Sequence, residues 1–426
     1  MAVRPFGPSR REECAVSDKP VIIIGSGHAG VQAAARLAEL HWDGGIVLVD
    51  QEETAPYERP PLSKEMLKSA DPTALSLLRK DTFYRDNNIE RISGRPVRTI
   101  DRAARQIELA GGVRHSYHRL IIATGSTPRR LDVPGADLPG VHTLSSHADA
   151  LALQKALTAG SRVTIVGAGY IGLEVAAAAA ARGCDVTIVE FRDRVLSRVT
   201  SEIVSRHFES LHRSNGARFV FGAGVRAFEG DGRVQRVVTS DGTSLDTDIV
   251  VVGVGVVPNQ QLAADAGIAC DDGILVNPHC QTSDPEVYAI GDVARCLRDG
   301  EPRGQRLESV QNAVAQAITA TNHVVSQSCE VKTEVPWFWT VQHGTRLQTA
   351  GLRHESDDIV VRGSASAGKF SVLYLREGRL AAIDTVDALK DFVPAKKLIA
   401  AGAALDPARA ADPSIKLAQS QTDIAQ

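Results

Sequence analysis

The chain has 426 residues, of which 43% are apolar and 23% charged, so it is long enough for about two to four domains with buried cores. Its 48 Lys and Arg residues against 51 Asp and Glu residues leave a formal net charge of −3, which excludes an overall field that attracts nucleic acid or a membrane surface. No apolar run approaches the ~20 residues of a transmembrane helix.

The six cysteines are scattered and form no Cys-x-x-Cys pair, which disfavours an iron–sulfur cluster, a zinc site or a redox disulfide within the chain. Sparse cysteines suit a reducing compartment, so we expect a cytoplasmic protein without a metal ion. Residues 1–18 carry arginines but no apolar core, and they are predicted to be a disordered tail rather than a signal peptide.

The first strong pattern is a glycine-rich turn between a strand and a helix. Residues 21–24 are all β-branched and predict a buried strand, and Gly-x-Gly-x-x-Gly follows at Gly25, Gly27 and Gly30. A helix-forming run comes next, and a second predicted strand ends at Asp50, about 20 residues after Gly30. This arrangement predicts a dinucleotide-binding unit in which the helix N-terminus faces a pyrophosphate.

Two further segments follow in the first third of the chain. Prolines fix an extended loop over residues 56–64 that presents Lys64, which from the residues alone is either a surface lysine or a functional one. A predicted buried strand ends in Ala123-Thr124-Gly125, and the Thr127-Pro128 pair after it indicates a crossover between domains.

Residues 161–172 repeat the strand–turn–helix pattern with Gly167, Gly169 and Gly172, and the next predicted strand ends at Glu190. The chain therefore contains two dinucleotide units. A carboxylate at Glu190 can accept hydrogen bonds from both ribose hydroxyls of NADH and would repel the extra phosphate of NADPH. Arg192 and Arg194 leave the strictness of that preference open, because a guanidinium could bind the phosphate.

The remaining pattern predicts one more parallel strand and then a different kind of sheet. An apolar run over residues 248–257, which contains Gly255, is typical of a central parallel strand. A short strand precedes Gly291-Asp292, where Asp292 is either a helix cap or a ligand for a sugar-like hydroxyl, and a helix is predicted over residues 307–317. From about residue 331 the segments predict an antiparallel sheet and a helix near residues 394–401.

Together, the two dinucleotide motifs, Ala-Thr-Gly after the first of them, the late Gly-Asp and the antiparallel C-terminal segment resemble flavoprotein reductases with two dinucleotide-binding domains. Segments 57–64, 307–313 and 336–339 resemble the ferredoxin reductases of the putidaredoxin reductase and aromatic-ring dioxygenase reductase type. The resemblance covers roughly residues 19–415 and implies an α/β fold with two Rossmann-like domains, one for FAD and one for NAD, plus a C-terminal α+β domain with an antiparallel sheet.

The resemblance also implies domain boundaries and a function. The FAD domain comprises residues 19–126 and 257–330, the NAD domain 127–256 and the C-terminal interface domain 331–415, while 416–426 form a loose tail. A hydride passes from NADH to FAD, and single electrons then pass to a [2Fe–2S] ferredoxin that serves a haem monooxygenase or ring-hydroxylating dioxygenase. The isoalloxazine carries the chemistry, and the protein positions it.

By similarity, Lys64 lies near flavin N5 and pairs with Glu174 when NADH docks, and these two residues are the expected catalytic groups. The departures from the family include Gln51, where an acid is more usual, so which of Asp50, Gln51 and Glu52 binds the FAD ribose stays open. The other FAD contacts implied are Gly25, Gly27, His28, Ala29, Gly30, Arg59, Val97, Ala123, Thr124, Gly125, Arg129, Gly291, Asp292, Ser309 and Val310. Those implied for NADH are Gly167, Gly169, Tyr170, Ile171, Gly172, Glu190, Gly255, Glu308 and Trp337.

Three other functions are compared with the ferredoxin reductase. An NADH oxidase, peroxidase or disulfide reductase of the same superfamily needs a cysteine facing the flavin, and residues 30–125 contain none. A rubredoxin reductase and an NADH-sensing flavoprotein of the apoptosis-inducing-factor kind both stay open. The oligomeric state is also left open, with a weak homodimer as one alternative.

Overall fold

The computed structural model describes residues 19–68, 75–298, 301–326, 331 and 334–422, so the predicted tail over residues 1–18 lies outside the described part of the chain. The first unit is built on a five-stranded, wholly parallel sheet. Its strands, in spatial order, are Val287–Ala289, Arg119–Ile122, Val21–Ile24, Ile46–Val49 and Ile89–Ile92.

The central strand Val21–Ile24 is apolar throughout because both of its faces are buried. Alternate side chains point to opposite faces of the sheet. Val21 and Ile23 pack on the side of helices His28–Glu39 and Val310–Ser326. Ile22 and Ile24 pack on the other side, against a small antiparallel sheet and its neighbouring loops. Packing on both faces holds this strand in place, and the helix His28–Glu39 begins after the short turn at its carboxyl end.

The second unit repeats this design. Its parallel five-stranded sheet is covered on one side by the helix Tyr170–Ala181, whose residues are all buried from Gly172 to Ala179. That helix also packs against the turn Pro60–Ser63 of the first unit and against the C-terminal sheet. The strands, in spatial order, are Arg218–Phe221, Asp185–Glu190, Arg162–Val166, Ile249–Val252 and Val141–His142.

A two-stranded antiparallel ribbon joins the two units. Strand Ser126–Pro128 leads out of the first unit, and strand Val256–Pro258 leads back into it. The chain then adds strand Val287–Ala289 to the edge of the first sheet. The second unit is therefore inserted into the first at a single place.

The C-terminal sheet is wholly antiparallel, and the three sheets confirm the predicted fold class. Helix Leu389–Ala400 covers one face, and the opposite face packs on the second unit through residues such as Phe370 and Val372. The strands, in spatial order, are Trp337–Gln342, Thr345–Gly351, Arg379–Val386, Lys369–Arg376 and Asp358–Ser364.

Two details of the C-terminal region differ from expectation. The helix predicted near residues 394–401 begins at Leu389, so Pro394 lies inside it rather than at its start. The residues expected to form a loose tail include the short 3₁₀ helix Leu417–Ser420, and Leu417 is buried in the same core as Phe392. Residues 423–426 lie outside the described part of the chain.

Smaller elements complete the described fold. The remaining strands are Val97–Asp101, Gln106–Leu109, Arg114–Ser116, Val225–Glu229, Arg236–Thr239, Ser244–Asp246, Ile274–Val276, Ala294–Arg298 and Glu301–Gln305. The remaining helices are Glu65–Lys68, Asp81–Asp86, His147–Ala156, Glu202–Ser214, Gln261–Asp265 and Pro407–Ala411, and the 3₁₀ turns are Pro60–Ser63 and Gly291–Val293.

Candidate functional site

Both glycine-rich turns need glycine for the same steric reasons. The first glycine of each turn has a positive φ, +106° at Gly25 and +100° at Gly167, which side-chain-bearing residues rarely adopt. A Cβ added to Gly30 would lie 1.9 Å from the Gly25 carbonyl oxygen, and one added to Gly172 would lie 2.1 Å from the Gly167 carbonyl oxygen. The last glycine therefore lets each helix pack directly onto its strand.

The middle glycine of each turn faces open space instead. A Cβ added to Gly27 or Gly169 would meet no protein atom within 4 Å among the described residues. Neither following helix has a side-chain cap or an acidic residue in its first turn. The free N–H groups and the positive end of each helix dipole thus face an open space, which a Cβ would narrow. A pyrophosphate site requires such donors and such space.

The acids at the ends of the second strands occupy equivalent places in the two units. Asp50 accepts hydrogen bonds from the Ser26 amide (2.6 Å) and hydroxyl (2.5 Å). Glu190 accepts from the amides of Ala168 (2.7 Å) and Arg192 (2.9 Å). Each carboxylate therefore lies beside its own glycine turn.

The other two candidates for the FAD ribose, Gln51 and Glu52, have surroundings that differ from those of Asp50. Gln51 is exposed. Glu52 is bound by the Arg59 guanidinium (2.6 Å) and the Tyr57 hydroxyl (2.8 Å). Arg59 also lies over the Tyr57 ring, 4.5 Å from its centroid. Asp50 is thus the one of the three that lies against the first glycine turn, whereas Glu52 forms a separate pair with Arg59.

His28, which lies near Arg59, has a lowered pKa because burial disfavours its charged form.

The late Gly-Asp pair meets the first glycine turn. Asp292 lies in the 3₁₀ turn Gly291–Val293, which leads into strand Ala294–Arg298, so it caps no α-helix and that alternative is wrong. A Cβ added to Gly291 would lie 3.0 Å from the Ala29 Cβ. Burial, with the neighbouring Glu308 carboxylate, raises the pKa of Asp292 to about 6, and the Ser126 hydroxyl donates to it (3.2 Å).

Lys64 and Glu174, which the family resemblance pairs when NADH docks, form an ion pair in this structure. The Lys64 Nζ lies 2.8 Å from the Glu174 Oε2, and the two side chains are 15% and 4% exposed. Glu174 also accepts hydrogen bonds from the hydroxyls of Ser63 and Thr340, the latter at 2.6 Å. Residues from the first unit, the second unit and the C-terminal sheet thus converge on one buried carboxylate.

The remaining predicted residues lie around these centres. Ala123 packs against Gly25, and Arg129 donates its amide hydrogen to the Gly255 carbonyl (2.9 Å). The Arg129 side chain is exposed, Ile171 is 43% exposed, and Val97 is half-buried in its strand. Thr124 and Gly125 are half-buried and bond to the backbone of Asn259.

The start of helix Val310–Ser326 places three predicted residues next to one another. Ser309 accepts a hydrogen bond from the Asn312 amide (3.1 Å), and the Glu308 carboxylate pairs with Arg306 (2.5 Å). The Gln311 Oε1 is buried without a hydrogen-bond partner among the described residues. An orphaned polar atom here fits a polar ligand at this helix end.

A family model described as pyridine nucleotide-disulphide oxidoreductase matches residues 19–317, and one described as reductase C-terminal matches residues 337–420. The chain belongs to the pyridine nucleotide-disulphide oxidoreductase family. It is an oxidoreductase that uses FAD and NAD(P)H, and the glycine turns described above fit both dinucleotides.

Relatives of this oxidoreductase match it almost end to end. Rhodocoxin reductase of Rhodococcus erythropolis is 42% identical over 399 residues, 93% of each chain. The solved ferredoxin reductase for the CYP199A2 system of Rhodopseudomonas palustris has a TM-score of 0.91 and 38% identity, over 95% of this chain and 100% of that one. The covalent putidaredoxin reductase–putidaredoxin complex gives a TM-score of 0.90 and 37% identity, over 94% and 97%. These relatives confirm the predicted resemblance.

Within the described ranges, the oxidoreductase has no helix long and apolar enough to cross a membrane and no group of three metal-ligating side chains. Four of its cysteines lie in those ranges, and none of them forms a disulfide. The family name includes disulphide chemistry, but a flavin-facing thiol has no source in residues 30–125.

Trp337 lies on a different face of the C-terminal sheet from the ion pair. The centroid of the Trp337 ring is 5.9 Å from that of Phe392 and 5.1 Å from the Lys396 Nζ. The ring of the neighbouring Phe338 instead packs on Tyr170, with the ring centroids 4.5 Å apart. Strand alternation explains the difference, because successive side chains point to opposite faces. The structure thus brings Phe338, rather than Trp337, to the second glycine turn.

Sequence reasoning missed Ser63, Thr340 and Phe338 at this site. The hydroxyl of Ser63, beside Lys64 in the proline-rich loop, donates to Glu174. Phe338 and Thr340 have the two-residue spacing of one strand face, which is a detectable signal. The spacing does not tell which face of the strand points toward the second unit.

Proposed function

We propose that this oxidoreductase takes a hydride from NADH and delivers single electrons to a [2Fe–2S] ferredoxin, which serves a haem monooxygenase or ring-hydroxylating dioxygenase. The names of the relatives support the electron acceptor, since they include a rhodocoxin reductase and a reductase solved with putidaredoxin bound. Cytoplasmic action is part of the proposal, in keeping with the sparse cysteines, of which the four in the described ranges form no disulfide.

The single observation that carries the proposal is the buried Lys64–Glu174 pair at the junction of the three units. When bound, FAD supplies the conversion between a two-electron hydride and single electrons. Lys64 would hold a positive charge beside the reacting atoms, where negative charge develops. Glu174, which is bound by two hydroxyls as well, would fix the direction of that ammonium group.

On this proposal the first unit and residues 257–330 hold FAD, residues 127–256 hold NADH, and residues 331–415 contribute the partner-facing domain. The turn at Gly25–Gly30 binds the FAD pyrophosphate, and Asp50 binds its ribose. Asp292, held beside the turn by Gly291, binds the ribityl chain. The turn at Gly167–Gly172 and the Glu190 carboxylate bind NADH in the equivalent way.

The electron acceptor is tested by steady-state reduction of cytochrome c with NADH, measured with and without an added [2Fe–2S] ferredoxin. We expect the ferredoxin to raise the rate severalfold, because cytochrome c then receives electrons through it. A panel of ferredoxins that all leave the rate unchanged would contradict the proposal. Slow turnover with a long-lived charge-transfer complex with NADH would instead indicate a redox-sensing flavoprotein.

Replacing Glu190 by alanine is expected to raise the KM for NADH about tenfold with little change in kcat. On this proposal the carboxylate binds the ribose, and two backbone amides hold it beside the glycine turn. A lost pair of hydrogen bonds to a charged acceptor is worth about 1.5 kcal/mol or more. Steady-state kinetics with NADH and NADPH measure the effect.

Glu190→Gln is the matched control for that variant, because it keeps the side-chain length and removes the charge. It should lower the KM for NADPH while Glu190→Ala weakens NADH binding. An unaltered KM for NADH in Glu190→Ala would contradict the ribose role. Equal use of both coenzymes by the unmodified protein would contradict the NADH preference.

A further inference from the structure

A line of hydrogen-bonded side chains continues from Glu174 away from Lys64. The Thr340 hydroxyl bonds Glu174, and the Gln342 Nε2 lies 3.3 Å from the Thr340 Oγ1. The Gln342 Oε1 lies 2.9 Å from the His212 Nε2, and the His212 Nδ1 lies 3.2 Å from the His343 Nε2. Thr340, Gln342 and His212 are each 0% exposed.

One assignment of hydrogens accounts for all four hydrogen bonds of this line. The Glu174 carboxylate only accepts, so the Thr340 hydroxyl donates to it and accepts from the Gln342 amide group. The Gln342 Oε1 then accepts, so the His212 Nε2 carries a hydrogen. The His212 Nδ1 is left as an acceptor for the His343 Nε2–H. Every bond therefore donates in the same direction, toward Glu174.

The surroundings of His212 keep its ring neutral, as that assignment requires. Burial lowers the pKa of His212 to about 4 and outweighs the hydrogen bond with Gln342, which raises the pKa, while the facing His343 lowers it further. From its own helix, Glu209 pairs with Arg206 and Arg213. The strand Arg218–Phe221 presents the Phe219 ring to it, and the Arg213 guanidinium lies over that ring.

The elements that supply the line are far apart in the sequence. His212 comes from helix Glu202–Ser214 of the second unit, and Thr340 and Gln342 come from strand Trp337–Gln342. Gln342 and Thr340 share one face of that strand, with Phe338 next along it against Tyr170. The strand thus ties the helix that carries Glu174 to a second helix of the same unit.

We propose that Thr340, Gln342 and His212 are positioning residues that hold the Glu174 carboxylate toward Lys64 during reduction by NADH. The inference rests on the proposed function, in which Lys64 acts beside the reacting atoms. None of the three touches the cofactor in this account. They act through Glu174, whose Oε1 would otherwise lack a donor among the described contacts.

The test is Thr340→Val, which keeps the shape of the side chain and removes the hydroxyl, with Thr340→Ser as the conservative rescue. Stopped-flow reduction of the bound flavin is measured over a range of NADH concentrations without ferredoxin. We expect the limiting rate of Thr340→Val to fall about tenfold, because the lost donor leaves the Glu174 carboxylate less firmly directed at Lys64. The NADH concentration that gives half of the limiting rate should stay within about twofold of that of the unmodified protein. Thr340→Ser should restore the limiting rate within about twofold.

A purely structural role would lower the melting temperature or FAD content of Thr340→Val without slowing reduction of the flavin that stays bound, and that result would overturn the proposal. So would an unchanged limiting rate in Thr340→Val, or a limiting rate that Thr340→Ser does not restore. Since no ferredoxin is present, failure here is distinct from failure of the cytochrome c assay, which tests the acceptor.

A second measurement does not depend on turnover. Nitrogen-15 NMR of the holoenzyme reports which imidazole nitrogen of His212 carries the hydrogen. We expect the Nε2–H tautomer from pH 8 down to pH 5, with the signal shifted in Gln342→Leu. The Nδ1–H tautomer would reverse the donor direction and overturn the proposal.

Discussion

Replacing Lys64 by alanine is expected to slow reduction of the bound flavin by NADH about 100-fold, while FAD retention changes much less. Lys64 supplies the cation that faces Glu174 at 2.8 Å, and Glu174 is only 4% exposed. Removing one member of a buried pair leaves the other charge uncompensated, at a cost of about 3–5 kcal/mol. The variant also loses the positive charge that would stabilise the developing negative charge.

Anaerobic stopped-flow absorbance of the oxidised flavin measures this rate, and the flavin content after dialysis measures retention. The double variant Lys64→Ala with Glu174→Gln separates the two effects, because it contains no unpaired buried carboxylate. It should recover thermal stability without recovering the rate. Lys155→Ala, on helix His147–Ala156, is the control for loss of a lysine elsewhere. Unchanged reduction rates in Lys64→Ala would contradict the role of the pair.

Substituting alanine for the last glycine of each turn is expected to abolish one nucleotide site at a time. Gly30→Ala should yield protein that does not retain FAD, because its Cβ would overlap the Gly25 carbonyl oxygen at 1.9 Å. Gly172→Ala should retain FAD, since its 2.1 Å overlap with Gly167 lies in the second unit. Its reduction by NADH should slow at least about 100-fold, because the helix is displaced from the pyrophosphate.

The middle glycines provide matched controls. An added Cβ at Gly27 or Gly169 meets no described protein atom within 4 Å, so both alanine variants should melt like the unmodified protein when all are compared without bound nucleotide. Any loss of FAD in Gly27→Ala, or of NADH in Gly169→Ala, then reports contact with the ligand alone. Visible spectra, circular dichroism melts and NADH titrations measure these outcomes. Normal FAD content in Gly30→Ala would show that the first turn does not hold the flavin nucleotide.

Much of the nucleotide sites follows from local rules. The glycines of both turns are required by positive φ angles and by close backbone approach, which the motif spacing encodes together with the flanking strands and helices. The acids Asp50 and Glu190 could be placed because the end of a parallel strand lies beside the preceding turn. The Lys64–Glu174 pair does not follow from such local rules, because it joins two segments about a hundred residues apart. Its prediction came from the family resemblance.

What the sequence left undetermined is how the units face one another. The period of strand Trp337–Gln342 groups Phe338 with Thr340, but it does not say which face meets the second unit. The role of Asp292 was ambiguous because a short strand and a helix are equally consistent with the residues after it. Pro394 suggested a helix start, yet tertiary packing of Phe392 and Leu398 extends the helix to both sides of it.

The paired strands Ser126–Pro128 and Val256–Pro258 make the second unit, the proposed NADH domain, an exchangeable cassette. Thr127 and Val257 are direct partners across the ribbon, so the entry and exit points of the cassette are neighbours in space. A donor cassette with a different coenzyme preference could be grafted between them without lengthening either connection. The donor segment must carry a carboxylate at the position of Glu174, because the lysine and the threonine that contact it, Lys64 and Thr340, belong to the rest of the chain.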